Sequence, residues 1–569
     1  MKKSRRNFIK NSLLGTGGIL MAPSFIGCSN DTTEDLAVDV ITESNFQNFD
    51  LGVASFDPTQ NSVIIWTRYS TSRPSVLLQW QISRDKDFTT ILERGDVVAS
   101  ESNDHTAATR VTRLAENTKY YYRFIEFFSH DVSITGETQT FSQSNITQLK
   151  LGMASCSNYE LGYFNVYKEM AESDIDLVIH LGDYIYENGA SNNSIVTGRE
   201  HLPNNELITI QNYRERYRQY RNDKDLQLLH QKKPFICVWD DHEISNDAYK
   251  DGAEGHQSDE GSYDLRKQAA QKAYREYLPS LSNGNKIYRS FKFGSLAQLT
   301  LLDTRHYGRD KQLDYANYYD AENNFDTTNF QLDINNENRS ILGLEQQTWL
   351  LEQIEGSNAE WFLLGQQVLM GKMYFPAELV QQLNILATER SNTGEISSES
   401  LFDLQSKLME LVLIKNRINA NDTTLTLEEK LRINTVLPYN LDAWDGYPAE
   451  REIILNALES KKTIVLTGDS HNAWHNKIQS ATGQGIVNEI ATASVTSVGF
   501  EGLVENESQL SSFESASMTL VDGLEYFDAS KKGFVKLTLE TGSAISEWIS
   551  VDSIIEPETS SSISHSASI

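Results

Sequence analysis

Cysteine is almost missing from this chain. Three residues in 569 leave no room for a disulfide scaffold. Positive charge is also short: 50 Lys and Arg stand against 79 Asp and Glu, a net charge of -29. That balance argues against binding nucleic-acid duplex through a general basic surface. Beyond the N-terminal segment no apolar run is long enough to read as a transmembrane helix, and no internal repeat is visible. What is abundant is carboxylate, which keeps a protein soluble and can hold hard cations. The length exceeds a single core, so two or three domains are expected.

The N-terminus reads as a targeting segment rather than part of the fold. Ser4-Arg5-Arg6-Asn7-Phe8-Ile9-Lys10 is a twin-arginine signature, and Leu13 to Ala22 is a short apolar core. Phe25-Ile26-Gly27-Cys28 then looks like a lipoprotein cleavage site, with Phe25 where Leu is usual. Residues 1–28 are therefore expected to engage the twin-arginine export machinery. Cys28 would anchor the mature chain to a membrane, periplasmic or cell-surface. If Cys28 is incidental, the mature chain is soluble. Twin-arginine export moves folded proteins, which suits a chain that loads metal before it leaves the cytoplasm.

Residues 29–41 form an acidic tether. From 42 to 146 short alternating strands such as Ser62–Arg68, Val76–Ile82 and Lys119–Phe124 predict an all-β sandwich of immunoglobulin or fibronectin type. Residues 148–555 alternate apolar strands with helical segments and predict a layered α/β domain. Strands are expected at 149–154, 176–181, 234–239, 297–302, 361–365 and 463–467. Residues 307–340 and 398–432 look like insertions, which either shape access to a site or are surface excursions. The Ser-rich tail 556–569 is expected to be disordered.

Five short motifs each follow an apolar strand. They are Ser155-Cys156, Gly182-Asp183-Tyr184-Ile185-Tyr186, Trp239-Asp240-Asp241-His242-Glu243, Leu302-Asp303-Thr304-Arg305 and Gly468-Asp469-Ser470-His471. Side chains at the ends of parallel strands share one crevice. Asp183 can bridge two cations, with Tyr186 turning back to the same site. Thiolate and phenolate together suit a ferric ion (Fe3+) better than magnesium, which pairs Cys156 with Tyr186. Asp241 and Asp469 offer hard oxygens for calcium (Ca2+) or a similar ion, and His471 projects to the same side. His242, between Asp241 and Glu243, can contact a phosphate or protonate a leaving oxygen. Arg305 can fork onto a phosphoryl oxygen, or pair with Asp303 or another carboxylate to hold the loop. His180, Asn246, His306, Trp474 and His475 are expected behind or around the ligands. Cys237 reads as a small apolar core residue.

Taken in order, these motifs, with Gly365-Gln366-Gln367 and the opening Gly52-Val53-Ala54-Ser55-Phe56-Asp57-Pro58, resemble the PhoD-like alkaline phosphatase/phosphodiesterase family of the calcineurin-like metallophosphoesterases. The resemblance covers about residues 50 to 550. It implies a ferric ion held by Cys156, Asp183, Tyr186 and His471, with calcium nearby on Asp183, Asp241 and Asp469. The Asp-x-x-Tyr pairing is also similar to purple acid phosphatases. The superfamily's first Asp-x-His motif is absent, and Cys156 stands in its place. The expected activity is hydrolysis of a small phosphate mono- or diester by a hydroxide or oxide held on the metals. Two other readings remain: a phospholipase D-like or nucleotide phosphodiesterase on the same site, and a surface lipoprotein that binds a ligand without turning it over.

Overall fold

The computed structural model describes residues 48–569, apart from 145, 192–193, 283, 285, 321–323, 484 and 504–505. The expected signal, lipid anchor and tether lie outside the described residues. No described helix is long and apolar enough to cross a membrane.

Two large sheets face each other across one core. The first has nine strands, in the order Ser561–Ser568, Ser543–Val551, Lys532–Glu540, Gln148–Ala154, Leu177–His180, Phe235–Cys237, Val53–Phe56, Val63–Arg68 and Thr106–Val111. The second has seven, in the order Arg289–Phe293, Ala297–Leu301, Trp361–Gly365, Lys462–Thr467, Val487–Ala491, Ala473–Ile478 and Leu524–Asp528. Leu151, Leu181, Leu299, Leu363 and Leu466 fill one continuous core cluster drawn from both sheets. Phe362, Leu364 and Val465, alternating with them along the second sheet, join a different cluster with the helices Gly343–Glu355, Ala377–Thr393 and Ser398–Asn419. Strands buried on both faces read as unbroken apolar runs. That is why each strand expected in this domain appears in the structure within a residue or two of its place.

The N-terminal β-region shares strands with the α/β layers. Its four-stranded sheet, Ile91–Ser100, Ser75–Ser83, Lys119–Glu126 and Gly136–Gln139, stands apart. The other side of the sandwich, however, is the edge of the nine-stranded sheet. Phe56 pairs in parallel with Phe235, so Val53–Phe56 hydrogen-bonds directly to a strand of the α/β layer. The reason lies in Val63–Arg68. Val63 and Ile65 face the sandwich core, while Ile64 and Trp66 face the main core. Side chains alternate across a strand, so a run apolar at every position must be covered on both sides. The described part of the 42–146 region, from residue 48, is therefore continuous with the α/β layers.

The tail departs from expectation. Ser561–Ser568 is not disordered: it pairs antiparallel with Ser543–Val551 and forms an edge of the nine-stranded sheet. His565 stacks on Tyr526 at 3.9 Å, with the rings 8° apart. Tyr526 belongs to the edge strand of the seven-stranded sheet, so the tail clasps one sheet to the other.

Candidate metal centre

The carboxyl ends of parallel strands from both sheets converge on one crevice. Cys156, Asp183 and the pair Asp240-Asp241 follow Gln148–Ala154, Leu177–His180 and Phe235–Cys237 of the first sheet. Asp303 and Arg305 follow Ala297–Leu301, and Asp469 and His471 follow Lys462–Thr467, of the second. The backbone at these ends is strained. Cys156, Asp183, Asp469 and His471 have φ of 62°, 54°, 60° and 63°, the left-handed region that costs non-glycine residues about 1–3 kcal/mol each. Both Gly-Asp motifs have a steric cause. A Cβ on Gly182, itself at φ 112°, would lie 2.4 Å from the Asp240 Cβ, and one on Gly468 would lie 2.7 Å from the Ser155 Cβ. The glycines let strand ends from neighbouring motifs come into contact.

The first cluster is the one expected. One donor atom from each of Cys156, Asp183 and His471 lies within 4.8 Å of the others. Tyr186 Oη donates to Asp183 Oδ2 at 3.0 Å and lies 3.2 Å from His471 Nε2. His471 Nδ1 faces the Val498 carbonyl at 2.7 Å, which leaves Nε2 for the cluster. Burial pushes the Asp183 carboxyl up, with Asp241 and Asp240 adding to it. Burial and then Asp183 raise the Cys156 thiol and the Tyr186 phenol in the same way. Burial lowers His471 to about 4, so at neutral pH its ring is an uncharged donor.

The second cluster brings Asp241 and Asp469 together with Asp240, a residue the sequence reading left without a role. Arg305 lies fully buried among them. Nε bonds Asp240, Nη1 donates to Asp442 Oδ2 at 2.6 Å, and Nη2 donates to Asp469 Oδ1 at 2.8 Å, with Asp241 Oδ1 3.6 Å away. The phosphoryl fork expected of Arg305 gives way to the other reading: it holds carboxylates. Asp303 is not among them, because its Oδ1 accepts the backbone N–H groups of Arg305 and His306. Burial pushes Asp240 well up and Asp469 to about 7. Burial also acts on Asp241, but Arg305 and His242 outweigh it and hold that carboxyl below the usual range.

His242 joins the two clusters, with one ring nitrogen within 4.8 Å of donor oxygens of Asp183 and Asp241. Its Nδ1 lies 2.6 Å from Glu187 Oε2, and its ring lies 4.2 Å from that of Tyr186. Burial lowers its pKa, yet Glu187, Asp183 and Asp241 overcome this and raise it well above the ordinary value. The expected partner Glu243 faces elsewhere. Its carboxylate accepts the backbone N–H groups of Asp183 at 3.0 Å, Tyr184 at 2.6 Å and Asp240 at 2.6 Å. Glu243 thus ties two ligand loops into one frame, and Glu187 takes the role given to it.

Three further residues went unnoticed in sequence: Glu187, Asp442 and Ser497. Glu187 directly follows a recognised motif, and that placement is the one signal that could have flagged it. Asp442 carried no signal, since it lies in a turn after the short strand Val436–Pro438 and outside every motif. Of the residues expected around the ligands, His306 Nε2 meets the Asp240 carbonyl at 3.0 Å and Asn246 N–H donates to Glu187. Trp474 donates to Ser470 Oγ. His180 is bonded to Tyr167 behind the sheet, and His475 bonds Asn488 away from the site. Cys237 is buried core, as expected.

The donors present fit cations. Asp183 Oδ1 and Asp240 Oδ2 are buried with no hydrogen-bond partner, a costly state for a carboxylate. Thiol, phenol and imidazole gather at one end of the crevice and carboxylates alone at the other.

Comparison with known proteins agrees with this geometry. The family model for PhoD-like phosphatase matches residues 151–548, and the one for the PhoD-like phosphatase N-terminal domain matches 36–142. Alkaline phosphatase D of Bacillus subtilis (strain 168) is 34% identical over 460 residues, which span 77% of this chain and 67% of that protein. A solved structure of PhoD superposes with a TM-score of 0.71 at 29% identity, covering 92% of this chain and 91% of that one. The purple acid phosphatase PPD1 of yellow lupin (Lupinus luteus) shares the fold, with a TM-score of 0.50 at 10% identity over 91% of this chain and 73% of that one.

Proposed function

The chain belongs to the PhoD-like phosphatase family and is a metal-dependent phosphoester hydrolase, and from that premise we propose which metals its crevice takes and how its residues divide the work. Cys156, Asp183, Tyr186 and His471 would hold a ferric ion. Asp183, Asp241 and Asp469 would hold calcium, with Asp240 beside them. Bound there, the two ions supply a water of lowered pKa and positive charge against the phosphoryl oxygens.

The chain's own residues do the rest. Glu243 fixes the backbone of Asp183 and Asp240, so the loop that joins the clusters cannot shift against its neighbour. Arg305 keeps Asp240, Asp469 and Asp442 aimed inward. His242 stays protonated through its contact with Glu187. Its second N–H is then free to donate to a phosphoryl oxygen, or to give its proton to the departing alkoxide. The buried walls exclude bulk water, which strengthens each of these interactions.

The observation that carries this reading is the division of donors. Soft and charge-donating groups surround one end of Asp183, and hard oxygens surround the other. Its test is hydrolysis of a chromogenic phosphate monoester and the matching diester, with calcium and after chelation, on protein of known iron content. Turnover that falls on chelation and returns with calcium supports the pairing. Full turnover after chelation, with iron alone present, refutes the calcium half.

We also propose that the chain is exported by the twin-arginine route and anchored through Cys28. Arg5-Arg6 and Phe25-Ile26-Gly27-Cys28 support this. A Cys28→Ala protein should leave the membrane fraction while keeping its activity; one that stays membrane-bound would refute the anchor.

A further inference from the structure

One short loop touches three of the four residues of the first cluster. Residues 494–498 run beneath it from the second sheet. The Ser497 hydroxyl donates to Tyr186 Oη at 2.6 Å and lies 2.9 Å from the Cys156 carbonyl. The N–H groups of Thr496 and Ser497 both point to that same carbonyl at 3.3 Å. The Val498 carbonyl meets His471 Nδ1 at 2.7 Å. Ser494 closes the loop from both sides: its hydroxyl donates to the Ser497 carbonyl, and its N–H to the His471 carbonyl at 3.3 Å.

The acceptor of the Ser497 hydroxyl follows from counting. The Cys156 carbonyl already receives two N–H groups and has two lone pairs. The phenol oxygen is the nearer atom, and its own hydrogen points to Asp183 Oδ2. Ser497 is buried, so no water competes for the bond.

We propose that Ser497 is a positioning residue that tunes the Tyr186 phenolate, by donating the one hydrogen bond this oxygen retains once its own proton has left. The inference rests on the reading that Tyr186 binds a ferric ion. A hydrogen bond to a ligand oxygen draws charge from it and sets how strongly it donates to the metal. Through Val498 and the Cys156 carbonyl the same loop fixes the imidazole tautomer and the thiol's backbone, so three donors share one template.

The test is the visible spectrum of the iron-loaded protein. Ser497→Ala should keep its iron and move the phenolate-to-iron charge-transfer band to longer wavelength, because the donor orbital rises when the hydrogen bond is lost. Ser497→Thr, which keeps the hydroxyl, should leave the band in place. If the alanine protein does not hold iron, Ser497→Cys carries the test, since a thiol is a weaker donor and should shift the band the same way. A band at the wild-type wavelength in an iron-replete Ser497→Ala or Ser497→Cys protein overturns the inference. Absence of any such band in iron-loaded wild type instead overturns the ferric assignment on which it rests.

Discussion

The two ends of the crevice hold their charge in different ways. Around the side chains of Cys156, Tyr186 and His471 the hydrogen bonds run to hydroxyls, the Asp183 carboxylate and a backbone carbonyl, and no described arginine or lysine bonds those side chains. Burial holds the thiol and the phenol in their neutral, protonated forms. Around Asp240, Asp241 and Asp469 the balance comes from Arg305, a fixed cation with a carboxylate at each nitrogen. One end is neutralised by protons alone, and the other by a guanidinium beside carboxyls that burial also raises. A cation entering the first end must displace protons from its ligands. A cation entering the second meets carboxylates already aimed by Arg305, with Asp241 held ionised while burial raises Asp240 and Asp469. The sequence shows both donor sets, and only the structure shows that they are prepared by different means.

Asp183 is the residue the two ends share, so breaking it should erase the distinction. Asp183→Asn is expected to lower activity by more than about 100-fold, beyond the range typical for residues that merely support metal ligands. Both metals should fall together in elemental analysis. Loss of one alone would show that Asp183 serves a single site.

Arg305 belongs to one end only. Arg305→Met leaves buried carboxylates without their counter-charge, a change that costs about 3–5 kcal/mol where a buried pair is broken. Denaturant unfolding should show the loss, and added calcium should recover part of it. Iron content should not change. A fall in iron equal to the fall in stability would mean the two ends are not independent.

The smallest expected effect concerns the residue between them. Glu187 holds His242 cationic, and each raises the other's charged population. The sign follows from the directions. His242, with its folded pKa above the ordinary value of about 6.5, contributes stability that is full below that value and is lost as pH rises through the folded pKa. Glu187, with a depressed folded pKa, contributes stability present above about 4.3 and lost as pH falls through its folded value. The pair therefore contributes most between about 4.3 and 6.5 and fades outward toward the two folded values. Glu187→Gln should draw the alkaline limb of the activity profile to lower pH, with little change in either metal. An unmoved limb would take the proton-donor role away from His242.

Much of this site is legible in the sequence because strands buried on both faces declare themselves as apolar runs, and the residue that ends such a run has few places to go. Cys156, Asp183, Tyr186, Asp241, Asp469 and His471 are all brought together as read. The supporting residues are not legible in the same way. In a loop with left-handed residues, alternation no longer says where a side chain points. Glu243, adjacent to His242, therefore turns to the backbone, while Glu187 crosses from beside another motif. Asp442 arrives in a turn after Val436–Pro438 by a route that local pattern does not encode. The tail failed for a related reason: Ser-rich composition describes side chains, whereas Ser561–Ser568 is held by backbone pairing and one stacked histidine.

The nine-stranded sheet also sets an order of events in time. One edge is built from Val53–Phe56, Val63–Arg68 and Thr106–Val111, near the start of the described chain, and the other ends with Ser561–Ser568. Between them, Phe56 pairs with Phe235 and Leu151 with Leu537, and pairings this distant in sequence close slowly. During synthesis one side of Val53–Phe56 stays open until Phe235–Cys237 is made, and one side of Gln148–Ala154 until Lys532–Glu540 is made, and open edges recruit other chains. Shortening the chain ahead of Lys532–Glu540 would leave Gln148–Ala154 open on that side. The strand end that carries Cys156 therefore gains its second neighbour only once Lys532–Glu540 has been made, and anything that must handle this protein before then deals with an unclosed sheet.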